Sequence, residues 1–258
     1  KIPDLGKVIA FSSSRRYRES EADPSEIGRQ LGAALLLDGT VRQQGERVRV
    51  TVQLIAAEEQ EQLWAETYNG ELSDIFAVQS QIAERIATAL RVELSPQQRA
   101  QIERQPTENL TAYNFYLKGR EFSSRNNKEA NENAIELFQR ALKEDPGFAL
   151  ARAGLANASA LRAYLYGGQS RWLETAIDEA EKALSTDPDL ADAHLALATA
   201  YSIKGWVGKA LEETETAIDL SPNGEGYSAL GYTYASNARW DEAYPQFRKA
   251  LTLNPLHS

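Results

Sequence analysis

The chain has 258 residues, enough for two units with separate cores, and its 42% apolar and 25% charged residues are the mix of a folding polypeptide. A formal charge of -9, spread almost evenly along the chain, argues against nucleic acid or an anionic membrane surface as a partner. With no cysteine and only His194 and His257, disulfides, thiolate chemistry and imidazole zinc sites have almost nothing to be built from.

Taken in chain order, Val8–Phe11 reads as a short strand and Asp23-Pro24 as the start of a short helix, with proline at its first position. Between them, Ser12-Ser13-Ser14-Arg15-Arg16-Tyr17-Arg18 has the hydroxyls and cations to seat a phosphate. No glycine-rich cradle accompanies it, so a polar loop is the better reading. Leu35–Val41 and Arg47–Ile55 flank a Gln44-Gly45-Glu46 turn, and the second run alternates polar and apolar residues as a half-buried strand does. Together they predict a hairpin. Leu63–Tyr68 is a third strand, and Ser73-Asp74 is placed to cap a helix with Ile75, Val78, Ile82, Ile86, Ala89 and Leu90 on one stripe. The expected first domain, residues 1–95, is therefore α+β, a mixed sheet with helices.

The phrases Asp38-Gly39-Thr40-Val41-Arg42, Val48–Ile55, Leu63-Trp64-Ala65-Glu66 and Asp74-Ile75-Phe76-Ala77-Val78-Gln79 resemble the TolB N-terminal-like domain. The resemblance implies company with helical repeats in bacterial adenylate cyclase-like, kinase and transcription-regulator proteins. It also implies a further strand and helix before residue 1. With Lys1 rather than methionine at the first position, an excerpt of a longer chain with an open sheet edge is expected. Residues 96–110 read as a connecting helix bracketed by Pro96 and Pro106.

Beyond this the chain repeats itself. Ala141–Pro146, Ala183–Pro188, Ala217–Pro222 and Ala250–Pro255 are variants of one phrase, at intervals of 42, 34 and 33 residues. Seven positions before each leading alanine stands another: Ala134, Ala176, Ala210 and Ala243. Upstream of these, His194, Leu197, Ala198 and Tyr201 correspond to Tyr227, Leu230, Gly231 and Tyr234. Small residues let two helices approach and large ones fill the grooves beside them, so each unit is a helical hairpin stopped by its proline. The pattern resembles the tetratricopeptide repeat, which implies an all-α solenoid wound as a right-handed superhelix. Four units are expected, over 111–146, 147–188, 189–222 and 223–255, the last running on to the final residue, 258. Two carry insertions, at Asn126–Asn131 and at Tyr164–Trp172, each expected in the turn within its hairpin.

Catalytic chemistry finds no support. Glu58-Glu59-Glu61 and Glu212-Glu213-Glu215 read as solvated charge, His194 as a packing residue, and no nucleophile has a base beside it. No catalytic, metal or cofactor site is predicted. The longest apolar run, Ala33–Leu37, is far too short to cross a bilayer, so the segment reads as soluble, with nothing to choose between cytoplasm and periplasm.

What remains is a surface. Aligned repeats put Tyr113, Tyr116, Arg120, Leu150, Ala153, Asn157, Leu161, Asp192, Leu195, Thr199, Glu225, Ser228 and Tyr232 on the concave face, where such solenoids take a peptide or partner helix. Of these only Asn157 fits the carboxylate clamp of the chaperone-binding branch, so a chaperone tail is disfavoured. In the second insertion Tyr164, Tyr166 and Trp172 either dock within the chain or meet a partner. Tyr244, Phe247 and Leu251 leave part of the last helix bare, which points to self-association there or to more repeats, the sheet edge being a second place for it. The leading expectation is a non-catalytic protein-interaction module. A regulatory region of a nucleotide cyclase or kinase, or a small-molecule sensor, are the alternatives.

Overall fold

The computed structural model describes residues 22–125, 127–166 and 169–254, together with residues 9, 14–17 and 20. The chain divides into two compact units, with breaks between Gln105 and Pro106 and between Thr252 and Leu253.

In the first unit, helix α1 (Pro24–Leu31) opens at Asp23, whose carboxylate accepts from the Glu26 N–H at 2.9 Å, and it ends at Gly32 in the left-handed conformation. Strands β1 (Leu35–Gln44), β2 (Arg47–Ala56) and β3 (Glu61–Glu71) follow as one antiparallel sheet in that order. Val50 stands opposite Val41 on one side and Tyr68 on the other. The turn between β1 and β2 uses Gly45 at φ 61, where a side chain would be strained. Alternation along β2 turns Val48, Val50, Val52 and Leu54 to one face, and helix α2 (Ile75–Ala89) lies on it with Val78 buried among those valines. A helix about 10 Å across spans roughly two strands spaced about 4.8 Å. The strand left over is β1, and its Leu37 and Val41, on the same face, remain 54% and 66% exposed.

Three expectations change here. Among the described residues the sheet is wholly antiparallel; of the expected Val8–Phe11 strand, Val8, Ala10 and Phe11 lie outside them. Asp74 precedes α2 without a side-chain cap, because a short 3₁₀ turn, Leu72–Asp74, leads into the helix instead. Ala89 is exposed while Phe76, Val78 and Ala87 are buried. The buried stripe is widened towards helix α3 (Pro96–Glu103), whose Ile102 carbonyl accepts from the Ser80 hydroxyl at 2.8 Å. Ser95 and Gln98 close a reciprocal capping box at the start of α3, and the helix falls within the first unit.

The second unit is a row of helical hairpins: α4 (Leu110–Ser123) with α5 (Lys128–Glu144), α6 (Ala149–Tyr166) with α7 (Gln169–Thr186), α8 (Ala191–Ile203) with α9 (Val207–Leu220), and α10 (Gly224–Ala235) with α11 (Trp240–Leu253). The first helices α4, α6, α8 and α10 neighbour one another in order. The second helices α5, α7 and α9 each pack on the first helix of the next hairpin. Ala134, Ala176, Ala210 and Ala243 are completely buried, as close helix approach requires. The tightest seam is at Phe138. A Cβ added at Gly119 or at Gly154 would meet its ring at 2.7 Å, so both glycines are needed to let the ring lie between α4 and α6.

Neither insertion is a plain turn. Tyr164–Trp172 is absorbed largely as helix, for α6 runs to Tyr166 and α7 starts at Gln169. At the other, Asn127 caps α5, accepting from the Ala130 N–H at 2.9 Å. Asn131, one turn in, is buried and donates to the Ala158 carbonyl of the next hairpin at 3.0 Å. Among the described residues no helix is long and apolar enough to cross a membrane.

Candidate protein-interaction surface

The first helices carry the sequence-predicted face, and its members fall into three groups. Arg120, Asn157, Asp192, Glu225 and Tyr232 are exposed. Tyr113, Leu150, Leu161, Leu195, Thr199 and Ser228 are half-buried, while Ala153 is buried. Thr199 spends its hydroxyl on the Leu195 carbonyl of its own helix, at 2.9 Å. Tyr232 stands edge-on to Phe247 with centroids 5.1 Å apart and presents most of its ring to solvent.

Tyr116 is not part of an open surface. It is 5% exposed, with its ring 5.1 Å from Phe148 and 6.1 Å from Phe138, and it belongs to the core of the first two hairpins. Burial pushes its phenol up to about 12, against the pull of Arg120. Phe148, in the turn before α6, is what covers it, a contact that repeat alignment alone does not reveal.

Arg120 stands beside Tyr116. Its guanidinium lies 5.9 Å from the Tyr116 ring centroid. The Tyr116 phenol, then Asp192 and Glu225, hold its pKa above the usual value. Asp192 is reached by solvent yet lies in a crowded part of the concavity; loss of hydration raises its carboxyl above the ordinary value, and Arg120 opposes this.

In the second insertion, Tyr164 is exposed and Tyr166 half-buried. Trp172 packs against the first core and on the Ala160–Ala163 side of α6, with the Arg162 and Arg171 guanidiniums 5.9 and 5.6 Å from its ring. Trp172 therefore docks within the chain, because the helical insertion carries it back over α6.

A second recurring feature sits at the position of His194. Its Nδ1 is 2.6 Å from a Glu213 oxygen and its Nε2 is 3.0 Å from the Pro188 carbonyl. Arg152, one hairpin earlier, donates to Glu179 at 2.6 Å and to the Pro146 carbonyl at 2.7 Å. In the first and last hairpins the same position is aromatic and meets a cation: Phe115 with Arg140 at 5.9 Å, and Tyr227 with Lys249 at 5.0 Å. Each hairpin is thus clasped between its two helices, and in the middle ones the clasp also grips the preceding proline turn. In the two middle hairpins the clasp follows the proline by six residues, Pro146 to Arg152 and Pro188 to His194, and that spacing was the available sequence signal.

Another surface escaped the sequence reading. Lys204 and Lys209 stand 4.7 and 5.0 Å from the ring of Trp206, itself 5.5 Å from Tyr201. These four, with Ile177 and the carboxylates of Glu174, Asp178 and Glu181, line a shallow open groove of about 310 Å³.

Known proteins add the following. A curated relative named "Putative adenylate cyclase 3", from Rhizobium meliloti (strain 1021), is 35% identical over 159 residues, 60% of this chain and 27% of its own length. The chain thus spans about a quarter of that relative. Similar solved structures include TTC0263, a thermophilic TPR protein of Thermus thermophilus (23% identity, 57% of this chain and 93% of that one, TM-score 0.42). MamA 41-end from Desulfovibrio magneticus RS-1 is another (20% identity, 71% and 96%, TM-score 0.40). Residues 224–255, the hairpin of α10 and α11, match the family model of the tetratricopeptide repeat, and the second unit is a helical-repeat array of that type.

Proposed function

We propose that the second unit is a non-catalytic docking module that takes an extended peptide or a partner helix along the inner face of α4, α6, α8 and α10. The observation that carries this reading is the set of open side chains on successive first helices, Asn157, Asp192 and Tyr232 above all, on a face otherwise floored by small and half-buried residues. A photo-crosslinking amino acid placed at Asn157 or Tyr232 in the full-length protein should yield protein adducts, and one placed at the outward Glu215 should not. Adducts at Glu215 alone overturn the reading.

The relative's name favours a second reading of the whole protein, in which this segment regulates a nucleotide cyclase carried elsewhere in a longer chain. The first unit is then the TolB N-terminal-like domain that its strand phrases resemble. Cyclic-nucleotide formation by the full-length protein should change when Asn157 and Tyr232 are replaced by alanine; identical output, or none from either, rejects this reading.

We also read the outer face of α11, with Tyr244 and Leu251 exposed, as the place where a second copy docks. Sedimentation showing a monomer at every concentration removes that proposal.

A further inference from the structure

We infer that His194 is a proton switch built into the array: the seam between the second and third hairpins is fastened when its imidazole is protonated and loosened when it is neutral. Both ring nitrogens meet an acceptor. Nδ1 lies 2.6 Å from a Glu213 carboxylate oxygen on α9, and Nε2 lies 3.0 Å from the Pro188 carbonyl in the turn before α8. A carbonyl oxygen only accepts, and so does an ionised carboxylate, whereas neutral imidazole has a single N–H. In the neutral ring one nitrogen therefore presents its lone pair to an oxygen at hydrogen-bond distance. Only the imidazolium donates to both partners. The His194 side chain is 14% exposed and that of Glu213 24%, so little water is at hand to replace a lost bond.

The preceding hairpin shows what the position asks for. Arg152 donates to Glu179 at 2.6 Å and to the Pro146 carbonyl at 2.7 Å, so a permanent cation there serves the same two acceptors: a carboxylate of the second helix and the carbonyl of the proline turn. The first and fourth clasps rest on Arg140 and Lys249. The third alone uses an imidazole, the side chain whose ordinary titration falls near neutral pH. Helix α8 packs on α6, α7, α9 and α10. Among the described residues Glu213 is the one charged group bonded to the ring. Asp187 and Asp189 flank Pro188 in the turn, and neither they nor the charged side chains of α6, α7 and α10 make a hydrogen bond or ion pair with it. A proton held by two native acceptors is held less well by the unfolded chain, so the contribution of this clasp is present at the acid end and is lost as pH rises through the imidazole range.

The test is amide hydrogen exchange on the full chain, read as protection factors over residues 187–198, at about pH 5.5 and about pH 8, for the wild type, H194R and H194Q. H194R carries a cation at both pH values and H194Q at neither. Wild-type protection should match H194R at the lower pH and fall about tenfold relative to it at the higher, where it should match H194Q. The corresponding segment of α6, held by Arg152, should change no more in the wild type than in H194R. A wild-type to H194R ratio that stays level across the range overturns the inference, and so does H194Q as well protected as the wild type at the lower pH. If H194R is itself less protected at both values, the wild type must still exceed H194Q at the lower pH and converge on it at the higher, and failure of either overturns the inference.

Discussion

The first and last hairpins are built on one pattern and live in different surroundings. On α5, Ile135 is 6% exposed and Phe138 is buried, because α6 covers them. The matching residues of α11 are Tyr244, 64% exposed, and Phe247, half-buried. The comparison shows that the repeat pattern specifies a hairpin, whereas burial of the second helix depends on having a neighbour. Stability in such arrays is a sum of unit and interface contributions, and here the interface contribution is visible by its presence at one end.

The largest effect that could break this comparison is loss of the ring itself. Phe138→Ala should cost about 3–5 kcal/mol in urea unfolding, as expected for a fully buried phenylalanine. Phe247→Ala should cost about 1–2 kcal/mol, in proportion to the area it still buries. Equal losses would mean that α11 is covered in solution.

Next come the glycines. Gly154→Ala forces a methyl into a ring clamped on both sides and should destabilise by about 1–3 kcal/mol. Gly231→Ala makes a similar clash, at 2.6 Å from Phe247, but that ring can swing towards solvent. There the roughly 1 kcal/mol gain in helix propensity should leave stability unchanged or higher. Opposite signs in thermal melts sharpen the comparison, and matching losses end it.

The clasps give a smaller difference. A double-mutant cycle on Arg152 and Glu179, an ion pair with both side chains largely buried, should return a coupling of about 1–3 kcal/mol. The cycle on Tyr227 and Lys249 should return about 0.5–1 kcal/mol. A reversed order would put the tighter hairpin at the bare end.

The smallest effect lies between the two ends. The native carboxyl of Asp192 holds its proton more tightly than the unfolded one, so its contribution to stability is best at low pH and falls as pH rises from the ordinary carboxylate value through the raised one. Asp192→Asn should therefore raise the melting temperature at pH 7 and leave it unchanged near pH 3. An equal change at both values contradicts the crowding of this carboxylate by its neighbours.

Much of this fold was legible. The alanines at Ala134, Ala176, Ala210 and Ala243 and the terminal prolines announced the hairpins, because close helix approach and helix arrest are local demands that leave local marks. The β1–β2 hairpin was legible for the same reason, in alternation and a turn glycine. What escaped depended on neighbours. Tyr116 reads as a face residue until Phe148 of the next hairpin is laid over it. Asn131 reads as a turn residue until Ala158 offers its carbonyl. The insertion Tyr164–Trp172 reads as part of a turn, and its aromatics Tyr164, Tyr166 and Trp172 are instead carried by longer helices.

Arrays of this kind can lengthen or shorten by whole modules, yet the seam at Phe138 resists that traffic. Excising residues 147–188 would bring Ala196 to the place of Gly154, and its methyl would fall where the ring now lies. Removing the second hairpin alone would therefore break this seam, whereas a module added or removed beyond α6 and α7 would leave the packing of Phe138 untouched.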